Sequence, residues 1–147
     1  MTWANQYVGI PYLEKGRSRE GADCWGLVRL ILLEQTGLEL PSYSEKYEDL
    51  PVDDRTDIKD GLASRADLVA PGLAFYKWSE VDRDELEPFD SILFTSLGEL
   101  SHIGLVIRPT LMIHSHYSAR SSVVADYGLD SWQRRIVKCY RPQNPHL

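Results

Sequence analysis

The longest helical pattern in the chain begins at Cys24. Apolar residues at positions 24, 27, 28 and 31 recur with the spacing of one helix face. Asp23, immediately before them, is a favourable N-cap, and Gly37 is a suitable residue to end a helix. The pattern therefore predicts a buried helix over residues 24–35.

The last third of the chain has the pattern of short strands. Its apolar segments are bounded by turn residues and cover 91–95, 101–107, 111–116, 121–125 and 135–140. A short Arg108-Pro109-Thr110 turn joins the second segment to the third and predicts a hairpin. Because helices come first and antiparallel strands afterwards, we predict a single α+β domain over residues 1–147.

The predicted hairpin also determines which side chains face each other. If the turn is centred near Pro109, residues whose numbers sum to roughly 218 lie opposite each other. On that count His102 faces His116, and His114 faces Gly104. A diagonal contact or a bulge would bring His114 to His102 instead.

The remaining segments carry weaker patterns. Residues 3–8 predict a short helix, and residues 56–68 an amphipathic surface helix. A short strand is predicted over 75–78 and a solvated acidic loop over 80–87. Residues 38–88 are therefore the part of the chain whose structure the pattern defines least.

Composition excludes several classes of function. With 147 residues, of which 43% are hydrophobic, the chain is long enough for one folded core. The formal net charge of −6 argues against nucleic acid as a partner, since phosphate binding needs a basic face. The apolar runs are too short to cross a bilayer, and residues 1–7 lack the pattern of a signal peptide. We therefore expect synthesis in the cytoplasm and no membrane insertion.

The two cysteines, Cys24 and Cys139, differ in their surroundings. Neither belongs to a C-x-x-C pair, and a disulfide between them is not expected in a chain made in the cytoplasm. Cys24 stands at the predicted helix N-terminus, where unpaired N–H groups stabilise a thiolate, so its pKa is expected to fall to roughly 3.5–7.5. A buried structural cysteine is the alternative, and this is the role assigned to Cys139.

Three histidines on the predicted hairpin supply the other groups that thiol catalysis needs. A cysteine nucleophile requires a base within hydrogen-bond reach and a third group that orients the base. His102 lies on the first hairpin strand, and His114 and His116 share one face of the other. Zinc binding by Cys24 and these histidines is the alternative. We predict no metal, because neither zinc-finger spacing nor an H-E-x-x-H motif occurs.

Four segments resemble the NlpC/P60 cysteine peptidases, with His114 at the family's usual distance after the last one. They are Tyr7-Val8-Gly9-Ile10-Pro11-Tyr12, Gly21-Ala22-Asp23-Cys24-Trp25-Gly26-Leu27-Val28, Pro88-Phe89-Asp90-Ser91-Ile92-Leu93-Phe94 and Ser101-His102-Ile103-Gly104-Leu105-Val106-Ile107. The resemblance implies a papain-like fold in which the cysteine helix packs on an antiparallel sheet. It also implies hydrolysis of amide bonds in bacterial cell-wall stem peptides, often between D-glutamate and a diamino acid.

The resemblance assigns a role to each candidate residue. Cys24 is the nucleophile, His102 the base and His114 the residue that orients the base. Tyr12 matches a tyrosine that the family keeps near the active site; a packed loop aromatic is the alternative. Tyr12 and Asp23 are assigned to binding the substrate or the oxyanion, to which the Cys24 backbone N–H also contributes. The implied partner is a peptidoglycan stem peptide, with no cofactor and no metal.

Departures from the family pattern indicate one branch. Phe89 replaces a glycine, and Leu13-Glu14-Lys15-Gly16 replaces the Trp-Gly-Gly that often follows the tyrosine. The Asp-Cys-Trp-Gly-Leu-Val motif and the long segment 38–87 together resemble a branch found among phage tail assembly proteins. That branch implies other phage tail proteins as partners and arrival at the wall within a virion or through lysis. A catalytically inactive structural tail component, or a thiol amidase or acyltransferase on the same fold, is the alternative function.

Overall fold

The computed structural model describes residues 3–40, 78–96 and 99–142, which form a helix packed on an antiparallel sheet. In chain order the elements are a 3-10 helix Ala4–Tyr7, β1 Arg17–Ser18, β2 Gly21–Ala22, α1 Cys24–Thr36, β3 Ser79–Val81, a 3-10 helix Arg83–Glu85, β4 Ser91–Ser96, β5 Glu99–Arg108, β6 Leu111–His116, β7 Ser121–Asp126, α2 Asp130–Gln133 and β8 Ile136–Arg141. Within these ranges the main sheet has the strand order β3-β8-β4-β5-β6-β7, and its neighbouring strands are antiparallel. The predicted α+β class is confirmed.

Helix α1 is bounded by the residues predicted to end it. The Asp23 side chain accepts a hydrogen bond from the Gly26 backbone N–H. Gly37, with a φ of 78°, donates its own N–H to the Leu33 carbonyl. The predicted helix is confirmed and extends to Thr36. In the described part of the chain, no helix combines the length and the apolar character needed to cross a membrane.

Alternation along the strands gives the sheet two apolar faces. Odd-numbered residues of β4 and β5, such as Leu93 and Ile103, pack with α1 in one buried cluster. Even-numbered residues, such as Phe94, pack in a second cluster on the other face. Burying a side chain of this size stabilises the fold by about 1.5–3 kcal/mol, so both faces contribute. Cys24 belongs to the first cluster and Cys139 to the second, and both thiols are free.

The β5–β6 hairpin has the register that its turn predicts. Leu105 pairs with Ile113 and Val106 with Met112, and the register shifts between the second pair and the turn. The residue numbers of both pairs sum to 218. These two pairs agree with the turn centre that the sequence predicts.

The N-terminal segment is bonded to β7, far along the chain. The backbone N–H groups of Gly9 and Tyr12 donate to the carbonyls of Ser122 and Arg120, at 3.0 and 2.9 Å. The Ile10 N–H donates to Ser122 Oγ, a contact between residues 112 positions apart. The segment that leads to Tyr12 therefore covers the outer edge of β7.

The acidic segment 80–87 is mostly exposed, as predicted, but it has regular local structure that a loop would lack. It contains the end of β3 and a 3-10 helix capped by Asp82, whose side chain accepts a hydrogen bond from the Asp84 N–H at 3.0 Å. A local cap of this kind orders a polar segment that has no hydrophobic periodicity. The predicted helix 56–68 lies outside the described residues, and so does most of the predicted strand 75–78.

Candidate active site

Cys24 is the first residue of α1 and is nearly buried, with 7% of its surface exposed. The backbone amides of Trp25 and Ile103 lie beside its thiol and lower its pKa. Because the Ile103 nitrogen is bonded to the carbonyl carbon of His102, the sulfur lies against the His102 backbone. The fold thus brings the predicted nucleophile next to the main chain of the residue predicted as its base, while the His102 ring packs against Phe94.

Burial raises the pKa of the Cys24 thiol to about 12, and the adjacent Asp23 carboxylate acts in the same direction. The two backbone donors and the Arg17 guanidinium act in the opposite direction and do not compensate. The expectation of a lowered Cys24 pKa is therefore wrong, because removing the thiolate from water outweighs the helix terminus. Near neutral pH the site holds a neutral thiol, so a base must take its proton as it attacks.

The Asp23 carboxylate holds three parts of the chain together. It accepts hydrogen bonds from the backbone N–H groups of Gly26 at 2.8 Å and Lys15 at 3.0 Å. It also pairs with Arg17 Nη1 at 2.8 Å, with the two side chains only 1% and 13% exposed. The sequence marks Asp23 as a helix cap but carries no signal for Arg17, because that pairing depends on how the preceding loop folds back.

Gly26 allows this loop to lie directly on α1. A Cβ atom at position 26 would overlap the Gly16 carbonyl oxygen. Gly16 is equally restricted, since a Cβ there would overlap the Gly21 carbonyl oxygen. Close backbone approach therefore explains two of the glycines around the cysteine.

His102 on β5 and His114 on β6 are hydrogen-bonded to each other. His102 Nε2 and His114 Nδ1 are 2.7 Å apart, and the ring centroids are 4.9 Å apart. A Cβ atom at Gly104 would lie 3.7 Å from the His114 Cβ, so His114 is beside Gly104 and its bond to His102 is a diagonal contact across the strand pair. The His116 ring centroid lies 5.7 Å from that of His102. Of the two candidates for the orienting residue, it is His114 that bonds His102.

The three imidazoles are uncharged near neutral pH. Burial, the other two histidines and the Arg135 charge lower the pKa of His102 well below its ordinary range. Burial, together with His116 and Arg135, lowers the pKa of His114 to about 3, and burial and Arg135 lower the pKa of His116. Two neutral rings joined by one hydrogen bond share one proton, so one donates and the other accepts. When His102 donates from Nε2, its Nδ1 is free to accept a proton.

An indole covers the three histidines. The Trp132 ring, on α2, has its centroid 6.5 Å from that of His102, 5.1 Å from that of His114 and 6.4 Å from that of His116. The guanidinium carbon of Arg135 lies 4.7 Å from the centroid of the same indole. The sequence carries no signal for either residue, because their place depends on how the β7–β8 connection crosses the sheet.

Tyr12 lines a cavity beside the segment that enters α1. The cavity has a volume of about 470 Å³ and is lined by Tyr12, Tyr117, Ser118 and Arg120. The rings of Tyr12 and Tyr117 meet edge to face with 5.5 Å between centroids. Tyr12 also forms a parallel bridge with Ala22, which directly precedes the cap residue of α1. The predicted Tyr12 thus lies near Cys24, together with three lining residues that the sequence did not single out.

The zinc alternative concerns Cys24 and the three histidines. Within residues 3–40, 78–96 and 99–142, no group of three or more His, Cys, Asp or Glu side chains is arranged to hold a metal ion. The bond between His102 Nε2 and His114 Nδ1 occupies two of the nitrogens that a metal would need.

Comparison with known proteins matches the NlpC/P60 family model to residues 9–141. No curated protein sequence matches the chain. A lipoprotein-like NLP/P60 family protein from Staphylococcus aureus is 20% identical, with a TM-score of 0.64, over 97% of this chain and 39% of its own. The NlpC/p60 domain of the peptidoglycan hydrolase SagA is 16% identical, with a TM-score of 0.59, over 95% and 92%. The peptidoglycan hydrolase RipB from Mycobacterium tuberculosis is 19% identical, with a TM-score of 0.56, over 95% and 61%.

At these identities the structural likeness shows the fold, which is the papain-like arrangement that the sequence resemblance implies. The chain spans well under half the length of the Staphylococcus aureus protein but nearly all of the SagA domain. The shared region therefore corresponds to the domain that carries Cys24 and the histidines.

Proposed function

The chain belongs to the NlpC/P60 family, and on that premise we propose that it is a cysteine peptidase that hydrolyses amide bonds in bacterial cell-wall stem peptides. The observation that carries the proposal is the Cys24 thiol lying against the His102 backbone, with the His102 ring bonded to His114. Two proteins that share the fold, SagA and RipB, are named as peptidoglycan hydrolases, which supports this substrate class.

In the first half of the reaction, Cys24 attacks the carbonyl carbon of the scissile amide. His102 accepts the thiol proton as the S–C bond forms, and the carbonyl oxygen takes the negative charge. The backbone N–H of Cys24, at the start of α1, is a donor for that oxyanion, since the first N–H groups of a helix have no partner within it. The imidazolium of His102 then gives its proton to the leaving amine as the C–N bond breaks.

In the second half, water hydrolyses the thioester. His102 takes a proton from the water, whose oxygen attacks the acyl carbon, and returns it to the Cys24 sulfur as the C–S bond breaks. His114 accepts the hydrogen bond from His102 Nε2 throughout, which keeps Nδ1 available for proton transfer. The thiol proton thus leaves with the amine product, and a proton from water replaces it on Cys24, which restores the enzyme.

The cavity beside Tyr12 is proposed as the place where the substrate peptide binds. It carries one cation, Arg120, and two tyrosine rings. A stem peptide linked through the γ-carboxyl of D-glutamate has a free α-carboxylate, which an arginine fork binds well. In this scheme Asp23 supports the oxyanion site indirectly, by capping α1 so that the Cys24 N–H keeps its direction.

The association with phage tails is proposed from the Asp-Cys-Trp-Gly-Leu-Val motif and the long segment 38–87. In this proposal the chain reaches the cell wall with other tail proteins. Mass spectrometry of purified virions from a strain that carries the gene checks it, since peptides of this chain are expected in the particle.

The enzymatic proposal is tested by incubating the purified chain with muropeptides and identifying the products by mass spectrometry. Wild type and Cys139→Ala are expected to release two fragments per cleaved bond, whereas Cys24→Ser and His102→Ala release none. Cys139→Ala is the matched control, because it removes the other cysteine of the chain, which lies on β8, two strands away from β5. Circular dichroism checks that all variants remain folded.

The outcomes separate the competing functions. Rapid cleavage of casein without products from muropeptides would show that the substrate class is wrong. An acylated Cys24 that transfers its acyl group to an amine would indicate an acyltransferase. A folded chain that acts on neither substrate would indicate a structural tail component.

A further inference from the structure

The Trp132 indole contacts every imidazole of the histidine cluster. Its ring lies nearly parallel to that of His102, with an interplanar angle of 29°, and nearly perpendicular to those of His114 and His116, at 88° and 80°. The Phe94 ring centroid lies 6.1 Å from that of His102 and 5.1 Å from that of Trp132. The rings of Phe94 and Trp132 therefore limit the rotation of His102.

Arg135 is bonded to the strand beneath this cluster. Its Nε donates to the Thr95 carbonyl at 2.7 Å, and the Thr95 N–H donates to the Arg135 carbonyl at 2.8 Å. The guanidinium stacks on Trp132 at 4.7 Å, a distance at which cation–π attraction is effective. The side chain is partly buried and remains a cation in this setting.

We propose that Trp132 and Arg135 form a positioning pair for the candidate base: the indole fixes the orientation of the His102 ring on His114, and the guanidinium holds the indole in place. The inference rests on the proposed function, since it assigns the pair a part in preparing His102 for proton transfer. Neither residue touches the reacting atoms, so their effect passes through the His102–His114 bond.

The indole also limits access of water to that bond. His114 is 2% exposed, and Trp132 packs edge to face against it. A hydrogen bond shielded from water is stronger and better directed than a solvated one. Removing the indole exposes the bond and lets both rings take other rotamers, which lowers the fraction of molecules with His102 Nδ1 correctly directed.

The guanidinium adds an electrostatic effect in the same place. The charged and titratable groups that act on His102 are His114 and His116 from β6 and Arg135 from the segment after α2, and each lowers its pKa. From α1, the thiol of Cys24 lies against its backbone. A neutral His102 is the form that accepts a proton, so the positive charge of Arg135 keeps the base usable at mildly acidic pH.

Four variants separate orientation from charge. Arg135→Gln removes the cation and Arg135→Lys keeps it without the planar stack, whereas Arg134→Gln removes a neighbouring exposed cation and is the matched control. Trp132→Phe keeps part of the aromatic contact and is expected to fold. The histidine resonances are titrated by NMR in each variant, and kcat and KM for a muropeptide are measured against pH.

The expected results differ between the two residues. Trp132→Phe lowers kcat by about tenfold with KM nearly unchanged, because fewer molecules have the productive His102 orientation. It also weakens the low-field signal of the shared His102–His114 proton. Arg135→Gln moves the imidazole titrations and the acidic limb of kcat/KM to higher pH, since the repelling charge is gone. Arg135→Lys largely restores both, and Arg134→Gln resembles wild type.

Two results would overturn the proposal. One is a Trp132→Phe protein with wild-type kcat and an unchanged shared-proton signal. The other is an Arg135→Gln titration that coincides with that of Arg134→Gln. If wild type cleaves no muropeptide, the proposed function fails, but the NMR signals of His102 and His114 still decide whether Trp132 and Arg135 position the pair.

Discussion

Replacing Asp23 by asparagine separates the two roles of this residue. Asparagine caps a helix about as well as aspartate and keeps an oxygen for the Gly26 N–H, so α1 still begins at Cys24. What is lost is the negative charge, which opposes ionisation of Cys24 and pairs with Arg17. Arg17 is left as a cation whose effect on the thiolate is favourable. We therefore expect Asp23→Asn to lower the pKa of the Cys24 thiol.

The magnitude follows from the proximity of the two residues. Charges about 6 Å apart interact by about 3 kcal/mol at an effective dielectric constant near 20. About 1.4 kcal/mol corresponds to a tenfold change in ionisation, so the thiolate population below the pKa rises at least about tenfold. The same substitution removes a charged hydrogen bond to Arg17, which costs about 1.5–3 kcal/mol of folding stability because the pair is shielded from solvent.

Alkylation by iodoacetamide at pH 8 measures this change, with peptide mapping to follow Cys24 and Cys139 separately. Cys24 in Asp23→Asn is expected to react about tenfold faster than in wild type. Arg17→Gln is expected to slow it, since the guanidinium lowers the Cys24 pKa. Asp23→Glu keeps the negative charge but disturbs the cap of α1. Any faster alkylation of Cys24 in this variant therefore comes from loosening the loop before α1 and not from a change in charge.

Unchanged or slower labelling of Cys24 in Asp23→Asn would refute the assignment of its raised pKa to burial and the Asp23 charge. Equal acceleration in Asp23→Asn and Asp23→Glu would show instead that access limits the reaction. Cys139 is the internal reference, because burial raises its pKa to about 11 in a different part of the core. In wild type at pH 6, both thiols are expected to react slowly, without the strong preference for Cys24 that its helix position alone would predict.

Three further predictions concern the histidines and the glycine loop. His114→Ala is expected to lower kcat/KM for a muropeptide at least about tenfold, or about 1.4 kcal/mol. His116→Ala is expected to lower it less, because it is His114 that bonds His102. The reverse ranking would assign the orienting role to His116. The folded-state pKa values of these imidazoles lie below their unfolded value near 6.5, so the unfolded chain binds protons that the folded chain does not. This stability is therefore complete above about pH 6.5 and falls below it; for His114, whose folded-state pKa is about 3, the loss at pH 5 is about 2 kcal/mol. A melting temperature that does not fall between pH 6.5 and 5 would contradict this. Gly26→Ala is expected to lower the free energy of unfolding, measured in urea, by about 1–3 kcal/mol, because its methyl group meets the Gly16 carbonyl. Leu33→Ala, on the exposed side of α1, is expected to lower it less. Equal losses of stability in the two variants would remove the steric explanation.

Much of the fold could be predicted because it follows from local patterns. The helix at Cys24, the late strands and the hairpin at Pro109 each depend on residues close in sequence, and their bounds agree within about two residues. The hairpin count also agrees with the pairing of Leu105 with Ile113 and of Val106 with Met112. That the catalytic roles fall on Cys24, His102 and His114, and that one domain spans the chain, stay predictions.

The rest of the site could not be predicted because it depends on distant parts of the chain. The raised Cys24 pKa reflects desolvation by the surrounding core, which no local motif encodes. Arg17 and Trp132 reach the site only because a loop folds back and a strand connection crosses the sheet. Phe89 illustrates the same limit. It stands where the family pattern has a glycine, and its φ of 73° is a backbone conformation that favours glycine, which the sequence alone did not reveal.

The bonds between the N-terminal segment and β7 determine when the substrate cavity can form during synthesis. Ile10 leaves the ribosome long before Ser122, its partner 112 positions later. At about 5–20 residues per second this delay is about 6–22 s, and during it the Tyr12 side of the cavity has nothing to close against. Cys24 therefore emerges well before the histidines of β5 and β6, so thiol and base meet only after both strands have been made. A chain truncated before Tyr117 would lack three of the four residues that line the cavity.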